Sequence, residues 1–168
     1  PHDEAQVRAL CQAASAVGLP ITSRGAGTSC AGNAVGPGVI VDLSGMDEIT
    51  DVDVEHRCVR MQPGVVQEQL QRVLRPLGLR YGPDPSTSSR CTIGGMIGNN
   101  ACGPRALAYG RTADTIESAR LVIAGGEVEP LAAAASSDWG SERVSPLVER
   151  NLGTIRTCLL YTSDAADE

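Results

Sequence analysis

The sequence predicts an α+β fold, and three observations carry that prediction. Apolar residues recur at helical spacing over Val7–Val17 and again over Val65–Leu77. Short apolar runs bounded by Gly, Pro and acidic residues alternate with them, at Ile21–Arg24, Val39–Leu43, Ile49–Val54, Arg57–Met61, Glu117–Ala124 and Glu127–Leu131. Two glycine clusters, at positions 24–38 and 94–110, hold ten of the 19 glycines. Such clustering marks places where the main chain itself must approach something closely. A chain of 168 residues reads as one domain, able to bury about two thirds of its unfolded surface.

The elements follow in order. Asp3 is an N-cap with Glu4 in the first turn; Val7, Leu10, Cys11, Ala14 and Val17 line one helical face, and Gly18 stops the helix. Strand Ile21–Arg24 leads straight into the first glycine loop, and strand Val39–Leu43 leaves it between Gly38 and Gly45. Ile49–Val54 and Arg57–Met61 form a hairpin turning near Glu55-His56, which Pro63-Gly64 ends. Val65, Val66, Leu70, Val73, Leu74 and Leu77 give a second helix, stopped over Pro76–Gly78. Tyr81–Ser89 is turn-rich, and a short helix is expected between Gly94 and Ala101. Gly125-Gly126 turns the last strand pair, after which the pattern fades into Ala and Ser, with a helix expected near Glu142–Leu152. The result is two small lobes joined around Val65–Leu79.

Composition removes several function classes. The net charge is −6, the pI about 4.9, and the aromatics are one Trp and three Tyr with no Phe. A nucleic-acid binder needs the opposite, clustered Lys/Arg with stacking rings. The six cysteines are scattered without a C-x-x-C pair, which argues against zinc or iron–sulfur ligation and for buried, reduced thiols in a cytoplasmic protein. No apolar run reaches the roughly 20 residues of a membrane span. His2 and His56 lie outside both glycine loops and read as surface residues.

Gly25-x-Gly27 invites a dinucleotide fingerprint, but Cys30 stands at the third glycine position and the loop leads to a strand rather than a helix. No Gly-Lys-Ser/Thr follows, so a P-loop is excluded. What remains is a strand–loop–strand segment whose successive N–H groups can form an anion-binding concavity. Thr28 and Ser29 hydroxyls would be extra donors and Arg24 would add charge; the bland alternative is a merely flexible turn. In Gly94–Gly98 the backbone can lie flat against a planar group, with Asn99 and Asn100 offering amide donors and acceptors, although Asn also favours ordinary turns. Two such loops far apart in sequence point to one extended, phosphate-bearing cofactor.

Arg24-Gly-Ala-Gly-Thr-Ser29, Pro63-Gly64, Pro83 through Gly103 (Pro-Asp-Pro-Ser-Thr-Ser-Ser-Arg-Cys-Thr-Ile-Gly-Gly-Met-Ile-Gly-Asn-Asn-Ala-Cys-Gly) and Tyr109-Gly110 stand in one order. That ordered set resembles the FAD-binding domain of the vanillyl-alcohol-oxidase/p-cresol-methylhydroxylase (PCMH-type) flavoproteins. The branch is the FAD-linked D-2-hydroxyacid dehydrogenases, which includes D-lactate dehydrogenases and glycolate-oxidase-like subunits. The resemblance covers residues 1–131. It implies a PCMH-type FAD-binding domain of two α/β subdomains, about 1–64 and 65–131, truncated at both ends. Residues 132–157 would be an incomplete continuation. Residues 158–168 resemble translated adapter read-through; the plain physical expectation for them is an acidic, disordered tail, and either way they are set apart from the fold.

By position, the resemblance implies that Arg24, Gly25, Ala26, Gly27, Thr28 and Ser29 wrap the FAD pyrophosphate through main-chain N–H groups. Asp84, Pro85, Ser86, Thr87, Ser88, Ser89, Arg90 and Thr92 would run along the ribityl–pyrophosphate stretch. Ile97, Gly98, Asn99 and Asn100 would sit near the isoalloxazine or its ribityl arm, and the Ile116 backbone near the adenine. Some relatives link the flavin covalently through a His in the first loop; Thr28 stands at that place, so the FAD is expected to be dissociable. The implied reaction passes hydride from the Cα–H of a 2-hydroxy acid to flavin N5 while a base takes the hydroxyl proton. That base belongs to a cap domain, so no catalytic residue is assigned here; Asp84 and Asp114 read as turn caps. A quinone or iron–sulfur partner is the implied electron acceptor, and the expected setting is cytoplasmic, with membrane-peripheral as the alternative for the longer protein. Three alternatives stand beside this reading: an alcohol or sugar oxidase of the same superfamily, a non-catalytic nucleotide- or anion-binding module, and a shortened domain that folds poorly.

Overall fold

In the computed structural model, which describes residues 1–132 and residue 150, twelve short elements include every helix and strand expected before residue 132, in the expected order, together with a short helix and a 3-10 turn between Ala106 and Thr115. Helix α1 (Glu4–Ala16) starts where Asp3 Oδ1 accepts the Gln6 N–H at 2.8 Å. It closes through Gly18, whose φ of 67° is left-handed, while the Leu19 N–H returns to Ala14 O at 2.9 Å. Its stripe is narrower than expected: Cys11 and Ala14 are buried, whereas Leu10 and Val17 are exposed.

Strands β1 (Ile21–Arg24) and β2 (Val39–Asp42) pair in parallel, from Ile21 opposite Val39 to Arg24 opposite Asp42. Parallel neighbours need a crossover of about a dozen or more residues, usually a helix. Here the glycine loop over residues 25–38 is that crossover. Strands β3 (Ile49–Asp53) and β4 (Cys58–Met61) form the antiparallel hairpin, turned by Arg57 at φ 57°. At its tip the exposed His56 ring sits 2.8 Å from Asp53 Oδ2.

The core gathers Val65, Leu70, Leu74, Cys91, Ile93 and Met96, with Ile49, Val52, Val59 and Met61 of the hairpin packed against it. Helix α2 (Gln67–Leu74) presents Gln67, Leu70, Gln71 and Leu74 to that core, and a 3-10 turn continues it over Arg75–Leu77. The apolar face expected for it is thereby corrected, because Val73 and Leu77 are exposed. Two glutamines occupy buried positions instead. Gln67 Nε2 donates to Pro83 O (3.1 Å), and Gln71 Nε2 donates to Tyr81 O (2.6 Å), so both side chains hold the segment entering Asp84.

The second glycine loop contains helix α3 (Ile93–Gly98). Thr92 caps it, Oγ1 accepting the Gly95 N–H at 3.3 Å, and Asn100 at φ 45° ends it. The short helix α4 (Ala106–Tyr109), a 3-10 turn over Thr112–Thr115, and strands β5 (Ser118–Val122) and β6 (Val128–Ala132), which pair with each other, complete the described chain. Contacts divide it into two units, Pro1–Ile116 with Val122–Val128, and Glu117–Leu121 with Glu129–Glu168. The helix expected near Glu142–Leu152, the 132–157 continuation and the 158–168 tail fall, apart from residues 132 and 150, outside the described residues.

The cysteines depart from the expectation of uniform burial. Cys11 and Cys91 are buried and Cys58 is half-buried, but Cys30 and Cys102 are exposed beside the two loops. Burial pushes the Cys91 thiol above its ordinary 9.0 and the Tyr81 phenol above its ordinary 10.0. Both folded-state values are raised, so the neutral forms are the ones the core accommodates. The stability they contribute is whole below pH 9 and lost as pH climbs through the raised values. Unfolding midpoints should therefore fall on titrating above pH 9, and a thiol reagent at lower pH should modify Cys30 and Cys102 while sparing Cys91 until unfolding. A Cys91 that reacts as fast as Cys102 in folded protein would contradict this packing.

Candidate functional site

Both glycine loops belong to the first unit, and the fold lays one against the other. Gly25 leaves β1 so close to Thr92 that a Cβ there would fall on the Thr92 side chain, which is itself only 3 % exposed. Farther along, Asn99 Oδ1 accepts from Asn33 Nδ2 at 2.7 Å and from Ser29 Oγ at 3.4 Å. The segment opening the second loop docks on residues 63–67, with the Ile93 N–H donating to Val65 O and the Gly94 N–H to Pro63 O, both at 2.8 Å.

In the first loop, Arg24 is half-buried and its Nη2 lies 3.3 Å from Asp42 Oδ2. Hydrogen bonds from the Ser44 hydroxyl and N–H, helped by Arg24, hold the Asp42 carboxyl below its ordinary value. Arg24 thus spends one of its donors on Asp42, and the backbone beside it adds capacity for an anion. The N–H groups of Gly25 through Ser29 supply that capacity, since among the described residues none donates to a protein acceptor. Gly27, at φ 66°, turns this run of donors in the left-handed region, and a Cβ built there would meet only Arg24 Cδ, at 3.7 Å.

The segment 84–90 is a tight turn, with the Ser88 N–H donating to Pro85 O (3.0 Å) and the Arg90 N–H to Thr87 O (2.8 Å). Pro85, Thr87 and Ser88 are half-buried, Ser86, Ser89 and Arg90 exposed, and Thr92 buried. Asp84 does not cap a turn as expected. Its Oδ2 lies 3.2 Å from Arg80 and 3.5 Å from Arg105, and Arg80 stacks 5.8 Å from the Tyr109 ring centroid. Two guanidiniums against one carboxylate leave that corner net positive. Asp84 Oδ1 is buried without a hydrogen-bond partner among the described residues, packed against Gly103. Asp114 does act as a cap, accepting the Arg111 N–H at 2.7 Å.

Ile97, Gly98, Asn99 and Asn100 form the exposed end of α3, and a Cβ on Gly98 would meet nothing within 4 Å. This is bare backbone facing open space, as a flat ring requires. Asn99 Nδ2 donates to Gly95 O (2.9 Å), and Asn100 Oδ1 accepts the Ala113 N–H (3.0 Å), so both amides also brace protein. Ile116 is half-buried in extended backbone, and no hydrogen bond among the described residues ties it to either loop. Sequence reasoning missed Gln67, Gln71 and Asn33. The glutamines share a helical face with Leu70 and Leu74, a signal available at i, i+4 spacing; Asn33 has no local signal, its partner being 66 residues away. A run of free N–H groups, bare glycine backbone and a net positive corner fit a dinucleotide with a planar ring.

Comparison with known proteins agrees with that chemistry. The family described as FAD binding domain matches residues 1–132. D-2-hydroxyglutarate dehydrogenase of Pantoea ananatis is 40% identical over 127 residues, 75% of this chain and 12% of that protein. Glycolate oxidase subunit GlcD of Escherichia coli K12 is 33% identical over 129 residues (76% and 26%), and D-lactate dehydrogenase of Anaerostipes hadrus 34% over 139 (82% and 29%). The chain thus spans less than a third of these relatives' length. Among solved structures, 6-hydroxy-D-nicotine oxidase of Arthrobacter nicotinovorans superposes with a TM-score of 0.69 at 27% identity, covering 78% of this chain and 28% of that one. Alkyldihydroxyacetonephosphate synthase gives 0.70 at 26% identity, covering 80% and 25%.

Proposed function

The chain belongs to the FAD binding domain family, and from that premise we propose that it is the FAD-holding part of an oxidoreductase acting on D-2-hydroxy acids of the lactate, glycolate or hydroxyglutarate kind. The observation that carries this reading is the pair of glycine loops laid together, with the N–H groups of Gly25–Ser29 free to take an anion. FAD, when bound, supplies the ring that accepts hydride from the substrate carbon.

The chain's own residues bind and orient. Gly25–Ser29 hold the pyrophosphate, with Arg24 at the loop's root, and Asp84–Arg90 with Thr92 line the stretch toward the ring. Ile97–Asn100 border the ring or its ribityl arm, and the Ile116 backbone meets the adenine. In this reading, residues of about 1–64 and 65–131 would be the two subdomains of the FAD-holding part. Thr28 carries no nucleophilic imidazole, so the FAD is held without a covalent bond. The remaining relatives' length would supply a cap with the proton-accepting base and carboxylate contacts, and a quinone or iron–sulfur acceptor would take the electrons. A cytoplasmic or membrane-peripheral setting belongs to the same reading; separately, no helix among the described residues is long and apolar enough to cross a membrane.

Because no residue here is assigned as the base, the chain should bind FAD yet fail to reduce a redox dye with D-lactate, glycolate or D-2-hydroxyglutarate. Acid precipitation should release the flavin to the supernatant. Turnover by this chain would place the base within it, and a yellow pellet would overturn non-covalent binding. Equal affinity for ADP and FAD would favour the plain nucleotide-binding module.

A further inference from the structure

The first glycine loop has little of its own to fix its shape. Within residues 26–35 the internal bonds are long: the Val35 N–H reaches Gly32 O at 3.3 Å, and the Ala31 N–H reaches Ser29 Oγ at 3.3 Å. The 2.7 Å bond from Asn33 Nδ2 to Asn99 Oδ1 is much shorter than either. Asn99 is itself oriented for that role, because its Nδ2 donates back to Gly95 O at 2.9 Å and so aims Oδ1 at the loop. The loop is therefore gripped twice by the ends of one short element. Its root, Gly25, lies on Thr92, the N-cap of α3, and its tip, Ser29 and Asn33, lies on Asn99, the C-cap of α3.

We infer that the Asn33–Asn99 amide bridge is a latch, with α3 as its strut, that pre-forms the first loop for the pyrophosphate. This rests on the FAD reading above and adds that Asn99 and Asn33 are positioning residues. Each acts through the loop backbone, by removing part of the ordering cost before the ligand arrives. The bridge joins two neutral amides on the surface, so its net effect is that of about one ordinary hydrogen bond, roughly fivefold in an equilibrium.

The test uses the full chain and two readouts. Without cofactor, 15N relaxation should give order parameters near the rigid value of about 0.85 for residues 26–33, falling toward 0.6 or below in Asn33→Ala and in Asn99→Ala. The double variant should be no looser than either single one. With ligands, Asn33→Ala should weaken FAD and ADP about fivefold and leave riboflavin, which has no pyrophosphate, unchanged. Order parameters unmoved in Asn33→Ala, additive loosening in the double variant, or an equal loss for riboflavin would each overturn the latch. Wild-type protein that binds no FAD overturns the cofactor reading, while the unliganded loop's order parameters still decide whether the latch exists.

Discussion

Gly25→Ala is expected to abolish measurable FAD binding and to destabilise the protein by about 2–3 kcal/mol, the usual cost of forcing a methyl into a packed site. The backbone at Gly25 is not left-handed, so the penalty is one of contact. The new Cβ falls on Thr92 Oγ1, with Thr92 Cβ at 3.2 Å and Cγ2 at 3.3 Å. Thr92 is buried and capping α3, so it cannot swing away without releasing the Gly95 N–H. Thr92→Ala alone should cost about 1 kcal/mol, the value of a lost N-cap. The double variant removes the atoms that collide and should cost clearly less than the two singles added, a coupling that urea unfolding of all four proteins would measure. Strict additivity would mean that the two loops do not press on each other.

Gly27→Asp should leave the fold nearly intact and cut FAD affinity at least about a hundredfold, or about 3 kcal/mol. Aspartate tolerates left-handed backbone better than most residues, and a Cβ there meets only Arg24 Cδ at 3.7 Å. The damage is electrostatic: the carboxylate takes up the loop's free N–H groups and repels the pyrophosphate. Gly27→Asn matches it in size without the charge and should lose only a small part of the affinity. Equal losses for both, measured by flavin fluorescence titration, would show that the loop's shape rather than its field holds the ligand.

Much of this arrangement was legible in the sequence. The Asp3 cap, the β1 strand with its bounds, and the two glycine loops are local features, set by residues within a few positions of one another. The cap needs only a side chain and an amide three residues on, and a short β-branched run beside glycine needs only its own alternation. The helix α4 escaped notice because Ala106–Tyr109 is a single turn, too short for a period, with Leu107 fully exposed on it. The buried face of α2 was misjudged at Val73 and Leu77 because Gln67 and Gln71 are polar. Their burial follows from carbonyls at Tyr81 and Pro83 that only the fold brings near. That residues 25–38 are a parallel crossover, and that Asn33 meets Asn99, are long-range facts with no short-range trace. In the candidate site, residue types announced the chemistry, whereas the pairing of Arg24 with Asp42 and of Asp84 with two arginines arises only when the fold brings those side chains together.

Whether this backbone holds FAD can be read from the visible spectrum of the chain after incubation with FAD and removal of free ligand. Flavin bands at about 370 and 450 nm should be retained, at one flavin per chain. A protein folded by circular dichroism but colourless after the same treatment would contradict that binding.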